Sequence, residues 1–303
     1  MEKEERKKIS INLSPSSINV YYQSPLLFYL KYIEKAPDDT QVPVCYGLSG
    51  SLVHECLEKY AKKEIDRDQA YAHLLTQWEK QNLHVHQDIN GKTLNPMDYI
   101  NAMIKGIEVV EKHEEHLCEE TITFPLKENE KIKIGIKGII DLQATEKGTK
   151  KTVLLDYKTS NSVSEDKSFE RQALFYNLLI HKQKNRIPEK TSLYYLKLGI
   201  TKNYEFKIKE IEEFEKELHK IADSILEAGT RIENYPVGQI DDLFNSKKQA
   251  CIKEVERRKI QSQQKLLFER KEKIYQFSQP ETSFKPELSG PLMAMQSGEN
   301  IKP

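Results

Sequence analysis

Two apolar runs, Ile134 to Leu142 and Thr152 to Lys158, carry charged residues where a pair of strands would bury them: Asp141, Asp156 and Lys158. The segment between the runs, Thr145-Glu146-Lys147-Gly148-Thr149-Lys150-Lys151, reads as a hairpin loop. A turn centred on Gly148 and Thr149 sets Asp141 directly opposite Asp156, because each lies seven residues from its side of the centre. The two carboxylates then share one face of the sheet. Lys158, two residues beyond Asp156, points to that same face because side chains alternate along a strand.

Converging charge of this kind constrains chemistry as well as topology. Carboxylates held together in a partly buried site raise each other's pKa unless a cation sits between them, and aspartate oxygens suit hard divalent ions such as magnesium or manganese. Beside such an ion, Lys158 would stabilise the charge of a pentavalent phosphorane or help position and deprotonate water, so phosphodiester hydrolysis fits the set. The plainer reading is an Asp156–Lys158 ion pair on a half-exposed strand. The apolar run Val153-Leu154-Leu155 before the pair weighs against it.

Around this hairpin the pattern changes period twice. Ser14-Pro15-Ser16-Ser17 is a helix-start signal, a second short helix begins at Pro25, and Gly50 to Lys63, Arg67 to Gln81 and Pro96 to Leu117 read as helices. His84 to Asn95 is too polar and irregular to be more than a loop. Strands rich in branched residues follow at Thr121 to Leu126, Lys131 to Ala144 and Thr152 to Thr159. Then come a helix at Phe169 to Lys184, strands at Ser192 to Leu198 and Tyr204 to Ile208, and a long amphipathic helix at Ile211 to Ile232. The expectation is an α/β fold: a mixed β-sheet flanked by helices, with an N-terminal helical region. Residues 1–11 form a polar lead, 12–236 the main domain (12–117 mainly helical, 118–236 the sheet core), 237–275 a basic helical extension and 276–303 a disordered tail. Ser246 to Lys273 carries ten Lys or Arg against four Glu, which reads as a solvated helix face, with a phosphate-contacting arm as the sharper alternative.

Composition sets the outer bounds. A chain of 303 residues with 38% apolar content can bury a full core. No apolar stretch approaches the roughly 20 residues that cross a bilayer, and the first residues lack a signal peptide's apolar segment, so no membrane contact and a cytosolic location are expected. Cys45, Cys56, Cys118 and Cys251 form no CxxC pair and read as free thiols. Lys plus Arg equals Asp plus Glu at 47 each, so attraction to a nucleic acid must come from local patches.

Five stretches together carry a family resemblance. Gly138-Ile139-Ile140-Asp141, then Asp156-Tyr157-Lys158-Thr159-Ser160, then Gln172-Ala173-Leu174-Phe175-Tyr176 resemble the three core motifs of RecB-like nucleases in the PD-(D/E)XK superfamily, whose core is restriction-endonuclease-like. Gly50-Ser51-Leu52-Val53-His54 is similar to the family's glycine-to-histidine helix motif, and Leu13-Ser14 through Phe28-Tyr29-Leu30 to its N-terminal element. Ser192 to Lys197 is similar to the strand after the third motif's helix. Any one motif is weak, but five in register across residues 12 to 236 are specific.

The resemblance implies that Asp141 and Asp156 are metal ligands, that Tyr157 offers its backbone carbonyl, that Lys158 is the catalytic lysine and that His54 completes the metal shell around Mg2+ or Mn2+. Gly50, Leu57 and Ala61 lie on the His54 face of its helix, which independently turns that histidine inward. Gln172 and Tyr176, four apart on one helical face, are implied to orient the site or touch DNA near the scissile phosphate. Glu119 or Glu120 is a further acidic candidate, and the sequence does not choose between them. Relatives with an iron–sulfur cluster, including CRISPR-associated adaptation nucleases, carry a cysteine near the N-terminal proline and three after the core. Here Ser24 precedes Pro25 and only Cys251 follows Tyr235-Pro236, so no cluster is expected.

The implied activity is a metal-dependent deoxyribonuclease, an exonuclease on single strands or DNA ends in repair, recombination or related processing. The competing classes are a catalytically silent DNA-binding or scaffold subunit and a CRISPR spacer-acquisition nuclease. A helicase's GxxxxGK[ST] loop is not in the sequence, so an unwinding or recombination partner would be a separate chain.

Overall fold

The structure, a computed structural model, describes residues 8–88, 91–163, 167–242 and 244–278, with side chains through residue 272. Most of the anticipated tail lies outside the described residues. A first compact unit runs to Glu254 and a second begins at Val255. The observed architecture is the expected mixed sheet flanked by helices, with six strands among the described residues.

The first element among the described residues is β1 (Ile9–Leu13), where a polar lead was expected to continue to residue 11. Alternate burial of Ile11 and Leu13 explains the strand, which lies parallel to Ile132–Ile136. Ser14 then starts α1 (Pro15–Gln23) through a capping box, its Oγ accepting from Ser17 N at 3.2 Å while Ser14 N donates to Ser17 Oγ at 2.7 Å. Pro25 opens the short α2 (Pro25–Phe28), continued by a wider turn to Ile33. Three longer helices follow: α3 (Cys45–Ala61), α4 (Arg67–Lys80), capped by Asp66, and α5 (Pro96–Glu111), capped by Asn95.

The anticipated helix at Pro96 to Leu117 stops at Glu111, and β2 (His113–Glu128) begins two residues later. Its first residues take strand form because they pair with the far end of β3 (Ile132–Glu146), His113 opposite Glu146. The hairpin to β4 (Thr152–Lys158) has the deduced register: Leu142 pairs with Leu155 and Thr145 with Thr152, around a turn in which Gly148 has φ 84°. Next come α6 (Lys167–Lys184), β5 (Lys190–Tyr195), parallel to β4, and β6 (Ile200–Tyr204). This last strand sits earlier than the expected Tyr204 to Ile208, because Gly199, with φ 67°, lets the chain reverse immediately after Leu198. The amphipathic α7 (Ile208–Ala228) follows, and α8 (Lys248–Ser278) crosses the boundary between the two units. Cys251 is buried in the first unit; in the second, Ile260, Leu266, Leu267 and Phe268 are exposed. Among the described residues, no helix is long and apolar enough to cross a membrane.

Two cores sandwich the sheet. On one face Ile134, Ile136, Ile140 and Leu154 pack with α1, α2, α6 and α7; on the other Leu142, Ala144, Val153, Leu155 and Tyr157 pack with α3, α4 and α5. Coverage on both faces explains why β4 is a continuous apolar run and not an alternating one.

β3 organises the site. β2 runs along one of its edges, so β1 at Ile132–Ile136 and β4 at Leu142–Thr145 must share the other. Asp141 lies in the interval between them, where β4 parts from β3. Gly138 allows α6 to lie close to this interval: a Cβ there would stand 2.5 Å from Leu179 Cδ1 and 3.3 Å from Phe175 Cε1. Gly138→Ala is therefore expected to destabilise the fold by about 1–3 kcal/mol, read as a lower urea midpoint at unchanged slope. A change below about 0.5 kcal/mol would show that α6 yields without cost.

Candidate active site

Each functional side chain is delivered by an element whose local packing fixes it. On α3, a Cβ at Gly50 would come within 2.9 Å of Thr159 Oγ1, so the absence of a side chain lets the helix close onto the end of β4. One turn later His54 stands over the sheet with Nδ1 3.3 Å from Asp141 Oδ2, its ring edge-on to Tyr157 at 5.9 Å. The same Asp141 oxygen accepts the Tyr157 backbone N–H at 2.8 Å. Continuing the hairpin register by one pair sets Asp141 across from Asp156. There the strands have parted, and a carboxylate takes the hydrogen bond that a main-chain carbonyl would otherwise accept.

Glu119 completes a group with His54 and Asp141 in which one ligand atom from each lies within 4.8 Å of the others. The structure thus separates the two glutamates that the sequence left open. Glu119 turns into the site at a β2 residue with φ 51°, whereas Glu120 faces α6, accepting from Gln183 Nε2 at 2.8 Å with Lys184 Nζ at 3.7 Å.

Asp156 stands beside this group but outside it, held in a closed triangle. Gln172 Nε2 donates to Asp156 Oδ1 at 2.8 Å, Lys158 Nζ lies 2.6 Å from Asp156 Oδ2, and Lys158 Nζ donates to Gln172 Oε1 at 2.8 Å. Gln172 Nε2 also donates to the Tyr176 hydroxyl at 2.8 Å. Tyr176 is buried, so Gln172 and Tyr176, which the resemblance offered as groups that orient the site or touch DNA, are hydrogen-bonded to each other and, through Gln172, to Asp156. Tyr157, whose backbone carbonyl the resemblance offered as a ligand, donates its N–H to Asp141, and its hydroxyl is buried in the core under α3, α4 and α5. Cys56, two residues past His54, points away, with Sγ 3.8 Å from Ala70 O.

Sequence reasoning missed Phe169. Its ring lies 4.8 Å from Lys158 Nζ and edge-on to Tyr195 at 6.1 Å. The signal was available: Phe169, Gln172 and Tyr176 fall on one face of α6 at helical spacing.

Electrostatics mark the group as one that lacks positive charge. Asp156, only 3% exposed, has its pKa raised by burial, which outweighs Lys158 and is reinforced by Asp141. Glu119 is raised by burial and by the charges of Asp141 and Glu58. Burial opposes protonation of His54, yet Asp141, by charge and hydrogen bond, and Asp156 behind it overcome this and raise its pKa to about 9. Asp156 Oδ2 is buried, with the Lys158 ammonium 2.6 Å away as its close partner. An imidazole, two carboxylates and a neighbouring buried carboxylate therefore fit a divalent metal ion, whose charge would offset the burial and like charge that raise the carboxylate pKa values.

The sequence profile of the PD-(D/E)XK nuclease superfamily matches residues 12–251. The chain belongs to this superfamily. Its members are generally nucleases that use divalent metals. Among curated proteins, no relative matches this superfamily member. Among solved structures, "Crystal structure of SSO0001" is similar at 17% identity, covering 65% of this chain and 84% of that chain with a TM-score of 0.28.

His54 must lose its proton to ligate a metal, so metal binding below pH 9 releases a proton and apparent affinity rises with pH. Calorimetric titration of the metal-free protein is expected to show affinity increasing by up to about tenfold per unit between pH 7 and pH 9. That slope should flatten in His54→Gln. A wild-type profile as flat as the variant's would remove His54 from the metal shell.

Proposed function

We propose that this chain is a metal-dependent deoxyribonuclease of RecB-like type, acting as an exonuclease on single-stranded DNA or DNA ends in repair, recombination or related processing. The observation that carries the proposal is the placement of the His54–Glu119–Asp141 group next to the Asp156–Lys158–Gln172 triangle, where β3 and β4 part. Magnesium or manganese held by His54, Glu119, Asp141 and Asp156 would lower the pKa of bound water and polarise a phosphoryl oxygen.

The chain's own residues supply the rest. An ammonium has three donors; Lys158 directs one at Gln172 Oε1 and one at the Asp156 carboxylate, leaving the third for a phosphate oxygen. The ring of Phe169 limits where that ammonium can swing. Gln172, anchored by the Tyr176 hydroxyl, holds the lysine and the carboxylate in a fixed relation, so little reorganisation is needed as negative charge develops. The exonuclease and RecB-like assignments are supported by the resemblance of the five motifs. DNA is the proposed partner, with a separate helicase or a recombination or CRISPR-adaptation protein as the source of single strands.

The test is incubation with end-labelled single-stranded, double-stranded and circular DNA in magnesium or manganese. Wild-type protein should shorten labelled ends, and Asp156→Ala and Lys158→Ala should each lose about 10²- to 10⁴-fold in rate. Digestion of circles would instead establish an endonuclease. Protein that binds DNA yet leaves every substrate intact in both metals would overturn the nuclease reading in favour of a silent DNA-binding subunit.

A further inference from the structure

Most of the strongly placed cations of this charge-balanced chain are matched to carboxylates: Lys59 with Glu55, Arg67 with Glu111, Lys127 with Asp223, Lys182 with Glu215 and Lys190 with Glu146. Two cations, each one residue along the chain from a partner of Lys158, are held differently. Arg171 donates from Nε and Nη2 to Asn19 Oδ1 at 3.1 and 2.9 Å, and its guanidinium lies 4.9 Å from the centre of the Tyr22 ring. Lys197 donates to Asn161 Oδ1 at 3.3 Å, and its ammonium lies 3.6 Å from the centre of the Tyr99 ring. Neither comes within ion-pair distance of a carboxylate among the described residues. In both cases an asparagine carbonyl and a tyrosine face replace the usual acid.

Neutral partners fix a cation without cancelling its charge. An amide oxygen and a ring quadrupole orient the side chain, while the full positive charge stays available to an anion from outside. Both groups are partly buried, and Arg171 keeps Nη1 unused by any of these contacts.

Their chain positions tie them to the catalytic lysine. Arg171 precedes Gln172, which accepts from Lys158 Nζ. Lys197 follows Leu196, whose N–H donates to the Lys158 carbonyl at 2.9 Å. Lys197 also opens onto a surface crevice with Lys105, whose Nζ donates to Lys197 O at 3.2 Å; Asp98, Glu108 and Asn101 line the same crevice. Asp98 favours the charged form of Lys197, though burial acts more strongly and lowers its pKa. Tyr22, at 44% exposure, leaves part of its ring open beside Arg171.

We infer that Arg171 and Lys197 are phosphate-binding residues that grip the backbone of a DNA single strand at nucleotides neighbouring the scissile one. The inference rests on the nuclease reading for the identity of the anion. It adds a strand-holding function to two residues outside the metal and lysine groups.

The test measures binding of a fluorescein-labelled oligo(dT) by fluorescence anisotropy over a range of salt concentrations, in EDTA so that no cleavage occurs. Each phosphate contact on a single strand contributes about 0.7 to the slope of log K against log salt. Arg171→Gln and Lys197→Gln should each reduce the slope by about 0.7 and the double variant by about 1.4, with affinity at 0.1 M salt falling about fivefold per site. Arg171→Lys keeps the charge and should restore most of the slope. Lys216→Gln, on the exposed face of α7, should leave it unchanged. Thermal melts confirm that the variants fold. Slopes indistinguishable from wild type, or a wild-type protein that does not bind the strand, would overturn the inference. A parallel cleavage assay with metal separates the two readings. A chain that cleaves DNA with unaltered slopes keeps the nuclease and loses the grip; one that shows the slope changes yet cleaves nothing keeps the grip and loses the nuclease.

Discussion

The hydrogen bond from the Tyr157 N–H to Asp141 Oδ2 is the interaction on which the site depends. It is made where β4 leaves β3, and it lets the strands separate without orphaning a buried donor, which would cost about 1–3 kcal/mol. The same carboxylate oxygen faces His54 Nδ1, so one atom both closes the backbone gap and anchors the candidate metal group. An amide in place of the carboxylate could satisfy the N–H, but it could not supply the charge that draws His54 into its protonated form. The two carboxylates do not share one face, contrary to what strand alternation predicts: where the strands part, Asp156 and Lys158 turn toward α6 while Asp141 turns toward α3, so the candidate site spans the end of the sheet and draws on both covering layers.

Burial and like charge work together in this arrangement. Removing Asp156 and Glu119 from water raises their pKa values, and Asp141 raises both further. In the metal-free protein the resulting deficit of positive charge is met by Lys158 and by protonated His54. The lysine is held by Gln172 and Phe169 as well as by Asp156. The histidine is held mainly by charge, so its proton is the one a divalent cation bound here would displace.

How much was legible in the sequence follows from which features have local signals. The hairpin register was readable because a glycine turn and strand alternation together leave one pairing that keeps Leu142 and Leu155 on the same buried face. His54 was readable because Gly50, Leu57 and Ala61 mark one face of α3. The start of β2 was not: His113-Glu114-Glu115-His116 has helix-compatible residues after a helix, and only pairing with the end of β3 draws it into the sheet. Nor was the choice of Glu119 over Glu120, because it depends on a left-handed backbone at a glutamate, a conformation with no compositional signature. Phe169 escaped because an aromatic at helical spacing reads first as core.

The left-handed Glu119 shows how the fold enforces this geometry. A non-glycine residue at φ 51° carries a backbone cost of order 1 kcal/mol or more, and it persists only where its neighbours are held on both sides. Here they are: Cys118 pairs with Leu142 and Glu120 with Ile140, so β3 clamps the residues either side of Glu119 in register. Glu120 is further tied to α6 through Gln183 and Lys184. Relaxing Glu119 to an extended conformation would have to break that clamp or turn its neighbours over, withdrawing a carboxylate from His54 and Asp141. The strain is therefore stored in β2 and sustained by the β3 ladder, the same strand that parts from β4 to create the opening. One strand thus supplies the acid at its free interval, the clamp for a second acid on one edge and the gap for a third on the other.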